Sequence, residues 1–502
     1  MSTYLRHMEG LGLCRKYIKY NDNTYTHPIM LNNVLSSDTI CALATPAGGA
    51  IGVIRISGPE TFRIMSSIFS RNLDNAAGYT IHYGNIMSGD SVIDEVLVSV
   101  FRAPHSYTGE DSVEISCHGS RYILKSVLSL LTQNGARLAH PGEYTKRAFL
   151  NGKLDLSQAE AVADLIASTG QASHRMAMSQ LKGHFSSQLS QLRDQLLHLT
   201  SLLELELDFS DHEELEFADR SELLRLASCT DSHISHLAAS FRTGQAIKNG
   251  IPVAIIGKTN AGKSTLLNML LGEERAIVSD IHGTTRDTIE DCVDIGGISF
   301  RFIDTAGIRR TTDAVEQIGI KRTYQAMERA SIIIWLIDNT PSTDELTDIH
   351  SHLDADKALI VVRNKADLDA ADTATAQCAE DAATDIRSLY KEEEEAPRIS
   401  SIAVSAKCGT NIDELQRLIY ESANVPDINE NDTIVSSARH YDALMQAHAH
   451  LQRVESAINE GVSGDLVAED LHMVLDAIAE ITGSITPQDT LNNIFKNFCI
   501  GK

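Results

Sequence analysis

Gly257-Lys258-Thr259-Asn260-Ala261-Gly262-Lys263-Ser264 constrains this chain more than any other stretch. The apolar run Ile251-Pro252-Val253-Ala254-Ile255-Ile256 precedes it with strand character, and Thr265-Leu266-Leu267-Asn268-Met269-Leu270 follows with helical character. Strand, glycine-rich turn and helix form the setting in which a GxxxxGK[ST] sequence cradles phosphate. The glycines let backbone N–H groups curl around phosphate oxygens, and the new helix points its positive end at them. Lys263 adds a point charge on the outer phosphates, and Ser264 offers a hydroxyl to Mg²⁺. Taken alone, the pattern also fits an ATPase.

The purine is decided downstream. Asn364-Lys365-Ala366-Asp367 follows the apolar run Ala358-Leu359-Ile360-Val361-Val362, which puts it at a strand's end. A carboxylate there accepts the ring N–H and the exocyclic amino group of guanine. Adenine has neither donor in that place and would leave Asp367 unpaired, a loss that discriminates strongly. Ser405-Ala406-Lys407, after Ile402-Ala403-Val404, supplies a further loop at the base. Between phosphate and base elements lie Gly283-Thr284-Thr285-Arg286-Asp287 and Asp304-Thr305-Ala306-Gly307. These read as the two switches, with Thr285 on Mg²⁺, Asp304 behind it, and Gly307 free to turn towards a γ-phosphate. Residues 250–425 are therefore expected to form a GTPase domain. One position departs from the common small-GTPase arrangement: Ile308 stands where many relatives carry a water-orienting glutamine. An isoleucine cannot orient water. Arg309, Arg310, Asp313 and Glu316 are the polar candidates to replace it.

At 502 residues the chain exceeds one hydrophobic core, and two to four domains are expected. No run approaches the length of a membrane span. The formal net charge of −25 argues against a broad static grip on nucleic acid, so any RNA must be held by a local basic patch or a basic partner. Cysteines at 14, 41, 117, 229, 292, 378, 408 and 499 include no CxxC and no tight Cys/His cluster. That usage points to a reducing cytoplasm rather than a disulfide or structural-zinc framework.

Residues 1–37 are polar, mildly basic and without hydrophobic period, which fits a disordered extension or a start placed upstream of Met30 better than a transit peptide. From Asp38 an α/β domain is expected through Asp155. Strands are read at 39–44, 51–56, 96–101 and 112–117, and helices near 60–69 and 121–133. Arg55, Glu114 and Lys153 stand out as charges among apolar neighbours, and structural pairing with one another is the simplest account of them.

The runs Ile54-Arg55-Ile56-Ser57-Gly58, Tyr107-Thr108-Gly109-Glu110-Asp111, His118-Gly119 and Pro141-Gly142-Glu143-Tyr144-Thr145-Lys146-Arg147-Ala148-Phe149 resemble the N-terminal domain of the MnmE (TrmE) family of tRNA-modification GTPases. The resemblance extends over nearly everything from Asp38 to Lys502. It implies a domain that binds a formyl-tetrahydrofolate and dimerises constitutively, with Arg55, Glu114 and Lys153 contacting folate. A carboxylate suits the pteridine N–H groups, and cations suit its carbonyl or glutamate tail. The loop Thr45-Pro46-Ala47-Gly48-Gly49-Ala50-Ile51 departs from the family: it lacks an expected arginine and is one residue short, which bears on the dimer contacts such a loop makes.

Residues 156–249 read as helical, with Leu189, Leu192, Leu196, Leu199 and Leu203 forming one amphipathic stripe. The pattern resumes after the GTPase domain, where Val467, Leu471, Val474, Ile478 and Ile481 are in register. Neither stripe is buried without the other, so residues 156–249 and 426–502 are expected to form one all-α bundle into which the GTPase domain, a doubly wound and mostly parallel sheet, is inserted. The chain ends Cys499-Ile500-Gly501-Lys502. This matches the family's C-[ILV]-G-K ending, where the cysteine is linked to the modification chemistry and the terminal lysine approaches folate. Cys499 is thus a candidate for the modification step, as a thiolate nucleophile, and Lys502 for folate contact.

The resemblance also accounts for Ile308. In this family, GTP hydrolysis accompanies dimerisation of two G domains across their switches, with K⁺ at the interface where an arginine finger would otherwise stand. Asn260 is the side-chain K⁺ ligand, and the loop Ser279-Asp280-Ile281-His282-Gly283-Thr284 contributes further ligands, with Ser279, Ile281 and Thr284 assigned to the ion. Glu316 aligns with the water-positioning glutamate. The implied assembly is a homodimer and a heterotetramer with an MnmG (GidA) type flavoprotein that carries FAD. The implied task uses a 5-formyl- or 5,10-methylene-tetrahydrofolate one-carbon unit to build the C5 side chain of wobble uridine in certain tRNAs. Alternative readings are a GTPase switch in ribosome assembly, for which no basic RNA-binding module is visible, and a folate enzyme regulated by GTP.

Overall fold

The computed structural model describes residues 38–208, 220–272, 290–303, 316–368, 374–390, 396–426, 432–485, 488–496, 498 and 501. Two compact units emerge, one comprising residues up to Leu154 together with Phe495–Lys502, the other Asp155–Ile494.

The first unit is built on a six-stranded sheet of order β3-β4-β5-β2-β1-β6. Its elements run β1 (Ile40–Leu43), β2 (Ile51–Ser57), α1 (Thr61–Ile68), β3 (Thr80–Ser88), β4 (Ser91–Phe101), β5 (Ser112–His118), α2 (Arg121–Gln133), β6 (Arg137–Leu138) and α3 (Glu143–Leu150). All pairings are antiparallel except β1 with β6. Alternation along β2 and β5 sorts the side chains: Ile54, Ile56, Val113 and Ile115 join α1 and α2 in the core, while Arg55 and Glu114 point to the other face. The β3–β4 hairpin was only half visible in the sequence, since β3 alternates weakly and mixes His82, Gly84 and Asn85 with its apolar residues.

A buried cation clamps this unit. Arg147 on α3 is 4% exposed and meets Asp38, Glu110 and Glu143, and Arg137 on β6 meets the same Asp38 and Glu143. Burial alone would raise the Glu143 pKa, but donors on Arg137, the His140 backbone and Arg147 outweigh it and hold the carboxyl low.

The second unit begins with α4 (Leu156–Ala167), α5 (Gln171–Leu181), α6 (His184–Asp208), α7 (Arg220–Ala239) and α8 (Phe241–Asn249). An α/β layer follows: β7 (Ile251–Gly257), α9 (Lys263–Leu271), β8 (Asp291–Ile295), β9 (Ile298–Phe302), α10 (Glu316–Arg329), β10 (Ile332–Ile337), α11 (Thr343–Ser351), β11 (Ala358–Arg363), α12 (Ala374–Leu389), β12 (Arg398–Ala403) and α13 (Ile412–Ser422). The chain closes with α14 (Ala438–Glu460), α15 (Gly464–Thr482) and α16 (Gln488–Lys496). The sheet order is β12-β11-β10-β7-β9-β8, parallel except for β8 at the edge. Val253 and Ile255 enter the core shared with α9 and α13, whereas Ala254 and Ile256 enter the one shared with α10, α11 and α12. Both faces are therefore covered, as a parallel sheet requires.

The leucine stripe of α6 and the apolar stripe of α15 meet in a single core with α7 and α14. The two helical stretches thus bury each other across the intervening α/β layer. Their joint is electrostatic as well. Glu160 of α4 accepts from Arg439 Nε at 3.0 Å, and His440 Nε2 lies 2.7 Å from its other oxygen, both partners being on α14. Burial acts to raise the Glu160 pKa, but the His440 and Arg439 charges prevail and bring it to about 2.

Removing one member of such a pair leaves the other buried and uncompensated, so Glu160→Gln is expected to cost about 3–5 kcal/mol near neutral pH by chemical denaturation. A carboxyl depressed from 4.5 to about 2 stabilises above its ordinary pKa and loses that contribution as pH falls. The gap between the parent protein and Glu160→Gln should therefore shrink between these two values.

Candidate functional site

The strand β7 sits where the sheet's connectivity reverses, with β9 on one side and β10 on the other. Such a switch point is where open α/β sheets bind ligands, beyond the strands' carboxyl ends. There the chain turns at Gly257 (φ +144°) and Gly262 (φ +98°), both closed to side chains. A Cβ on Gly257 would lie 2.4 Å from the Leu336 carbonyl of β10, and one on Gly262 2.2 Å from Asn364 Nδ2. Between them Asn260 adopts φ +64°, a left-handed conformation that asparagine tolerates better than most residues, and it is exposed on the loop. Ala261 is buried beneath. Lys263 Nζ donates to the carbonyls of Gly257 at 2.6 Å and Lys258 at 2.8 Å, and burial pushes its pKa down. Ser264 and Thr265 are exposed on the first turn of α9.

Asn364, 3% exposed, ties this loop to the base elements. Its Nδ2 donates to the Ala261 carbonyl at 2.8 Å, and its Oδ1 accepts from the Ala406 N–H at 3.1 Å. Lys365 follows in the left-handed region (φ +66°), and Ala366 N donates to the Val404 carbonyl. Asp367 is exposed and accepts from Ser405 Oγ at 2.6 Å, a bond that holds its carboxyl below the usual range. The buried Ser405 also accepts from Cys408 N, and Lys407 is exposed beside it. The expected phosphate and base residues thus converge around one side-chain amide.

Ser279, Asp280, Ile281, His282, Gly283, Thr284, Thr285, Asp304, Thr305, Ala306 and Gly307 lie outside the described residues, as do Ile308, Arg309, Arg310 and Asp313. Glu316 opens α10, with its side chain outside the description. Sequence reasoning missed Lys258, whose ammonium pairs with Glu345 of α11 at 3.0 Å. Glu345 belongs to a capping box with Ser342. The Ser342-to-Glu345 spacing announces that cap, but nothing in the sequence joins it to the loop.

In the first unit, Arg55 and Glu114 are register partners on β2 and β5. Arg55 Nε and Nη2 both donate to Glu114 Oε1, at 2.9 and 2.7 Å. The rings of Tyr107 and Tyr144 lie 5.4 and 5.5 Å from the guanidinium carbon. Arg55 Nη1 donates to the Gly501 carbonyl at 3.4 Å, which brings the chain's end to this pair. Lys153 does not join the pair as expected: it is exposed, and its ammonium donates instead to the Pro104 carbonyl at 3.1 Å. Tyr107 and Tyr144 stand in the sequence motifs without an assigned role. Cys499 and Lys502 lie outside the described residues.

Comparison with known proteins adds what geometry leaves open. Profiles described as "MnmE helical domain" and "GTP-binding protein TrmE N-terminus" match residues 156–499 and 39–153. Proteins named tRNA modification GTPase MnmE from Bacteroides thetaiotaomicron and Bacteroides fragilis are each 52% identical, over 93% of this chain and 100% of theirs. The one from Phocaeicola vulgatus is 51% identical over the same shares. The chain belongs to the MnmE (TrmE) family. The helical-domain profile begins at the start of α4 and ends beyond α16, spanning the α/β layer.

Asn364→Ala would strand the Ala261 carbonyl and the Ala406 N–H together. Each buried unpaired group costs about 1–3 kcal/mol, so GDP affinity should fall at least about tenfold in titration calorimetry, with the melting temperature also lowered.

Proposed function

We propose that this protein is a K⁺-stimulated GTPase that takes part in building the C5 side chain of wobble uridine 34 in certain tRNAs. The Asn364 bridge between the phosphate and base loops carries the GTP part of the reading. Near-complete coverage of proteins named tRNA modification GTPase supports the tRNA-modification part. Lys263 and the start of α9 hold the outer phosphates, Ser264 and Thr285 take Mg²⁺, and Asp367 selects guanine. Asn260 favours a monovalent cation too, being exposed at the loop's rim in the one left-handed non-glycine conformation of that loop. Asn260, Ser279, Ile281 and Thr284 would hold K⁺, whose charge offsets that developing on the transferring phosphoryl group. Glu316 orients the water that Ile308 cannot.

The N-terminal unit is assigned to a reduced folate. Arg55 and Glu114 offer a cation and an acceptor side by side, with the half-exposed Tyr107 ring against the guanidinium, a polar and aromatic pairing suited to a pteridine. Lys153 and Lys502 are the further cations proposed for it, and Cys499 is assigned to the modification step. The working assembly is a homodimer joined by an FAD-bearing MnmG-type partner, which holds most of the tRNA against this chain's negative charge. The product is a carboxymethylaminomethyl or aminomethyl uridine. Among the described residues no helix is long and apolar enough to cross a membrane, and the cysteine usage favours the cytoplasm.

Steady-state turnover should rise several-fold or more when Na⁺ is replaced by K⁺, and Glu316→Ala should bind GTP normally yet hydrolyse it at least about a hundredfold more slowly. Equal rates in both salts would remove the cation from the reading. Arg55→Ala should abolish folate binding in equilibrium dialysis while leaving GTP hydrolysis intact. Digestion of tRNA from a deletion strain should show loss of the C5 side chain; intact nucleosides would point to ribosome assembly instead.

A further inference from the structure

The β8–β9 hairpin is the one strand pair attached to both switch motifs in the sequence: Thr285 precedes β8, which starts at Asp291, and Asp304 follows β9, which ends at Phe302. Its turn uses Gly296 (φ +64°) and Gly297 (φ +82°), and Asp294 Oδ1 accepts from Gly297 N at 2.9 Å. One face of the hairpin, Val293, Ile295, Ile298, Phe300 and Phe302, packs into the α/β core. The turn is held by the start of α5, outside the α/β layer, and by α13 within it. Ala172 N, in the first turn of α5, donates to the Gly297 carbonyl at 2.8 Å. Gly170, just before α5, comes so near that a Cβ there would lie 3.0 Å from both Asp294 Oδ2 and the Gly297 carbonyl, and 3.3 Å from Ser299 N. Ala172 of α5 and Ala246 of α8 also pack against that same core. On the opposite side of the turn, a Cβ on Gly296 would meet the Tyr420 ring at 2.7 Å. The turn is thus gripped from two sides, by α13 and by the start of α5.

We propose that this grip is the contact through which the nucleotide state reaches the helical bundle. The inference rests on the GTPase reading above. A hairpin shifted by even one residue along its neighbour moves about 3.3 Å and reverses its faces, so it cannot slide while Ala172 and Gly297 stay bonded. Rearrangement at either end of the hairpin therefore breaks this bond in one nucleotide state and frees the start of α5 in a way that depends on nucleotide.

Hydrogen exchange on the full-length protein in KCl tests this, comparing GDP with a non-hydrolysable GTP analogue. In the parent protein the Ala172 amide should exchange at rates differing about tenfold or more between the two states. Gly170 has extended backbone (φ −134°) that any residue adopts, so Gly170→Val introduces a wedge at the contact without backbone strain. In that variant the difference at Ala172 should collapse to within about twofold, while peptides covering 257–264 still respond to nucleotide. Unchanged exchange in α14 shows that the variant is folded, and Gly170→Ala provides a smaller wedge if it is not. A parent protein whose Ala172 amide ignores nucleotide while 257–264 responds overturns the proposal, as does a folded variant that keeps the parent's difference. Silence at 257–264 as well would bring down the GTPase reading itself.

Discussion

Asn364 commits both halves of its side-chain amide to backbone, one to Ala261 of the phosphate loop and one to Ala406 of the base loop. Its amide nitrogen also sits where any Cβ on Gly262 would go. Neither loop can therefore settle independently of the other. In a low-dielectric interior such a fully used amide is worth more than two isolated hydrogen bonds, because losing it strands two buried partners at once. The geometry of nucleotide binding is set by this residue before any ligand contact is made.

The second constraint is topological. The helices on either side of the α/β layer are far apart in sequence, yet they share one core and one buried ion cluster, Glu160 with Arg439 and His440. An α/β layer whose two ends enter the same bundle is anchored twice. Gly250 marks one anchor: at φ +76° it turns α8 into β7 beside Ser299. Such a double anchor restricts the layer to movements the bundle can follow, which gives the gripped hairpin something rigid to push against.

Much of this was written in local sequence. Phosphate and guanine motifs sit on short segments whose chemistry depends on spacing, and the leucine stripes declare their period without tertiary help. The central strand β10, Ile332-Ile333-Ile334-Trp335-Leu336-Ile337, carries no motif and was passed over, although a run of six apolar residues is a buried strand's usual signature. What sequence could not supply were pairings across distance. Glu345 meeting Lys258, Tyr107 and Tyr144 flanking Arg55, and Ala172 bonding Gly297 all join segments whose residue types are individually unremarkable. Lys153 shows the converse: a charge that invites pairing is drawn to a backbone carbonyl once the chain's path is fixed.

Gly501 is held at φ +94° with no room for a side chain, since a Cβ would approach the Leu43 carbonyl to 2.4 Å. Its own carbonyl faces Arg55. Gly501→Ala would therefore push this stretch off β1 and loosen its bond to Arg55, so the charged pair of the first unit leans on a residue that contributes no side chain at all.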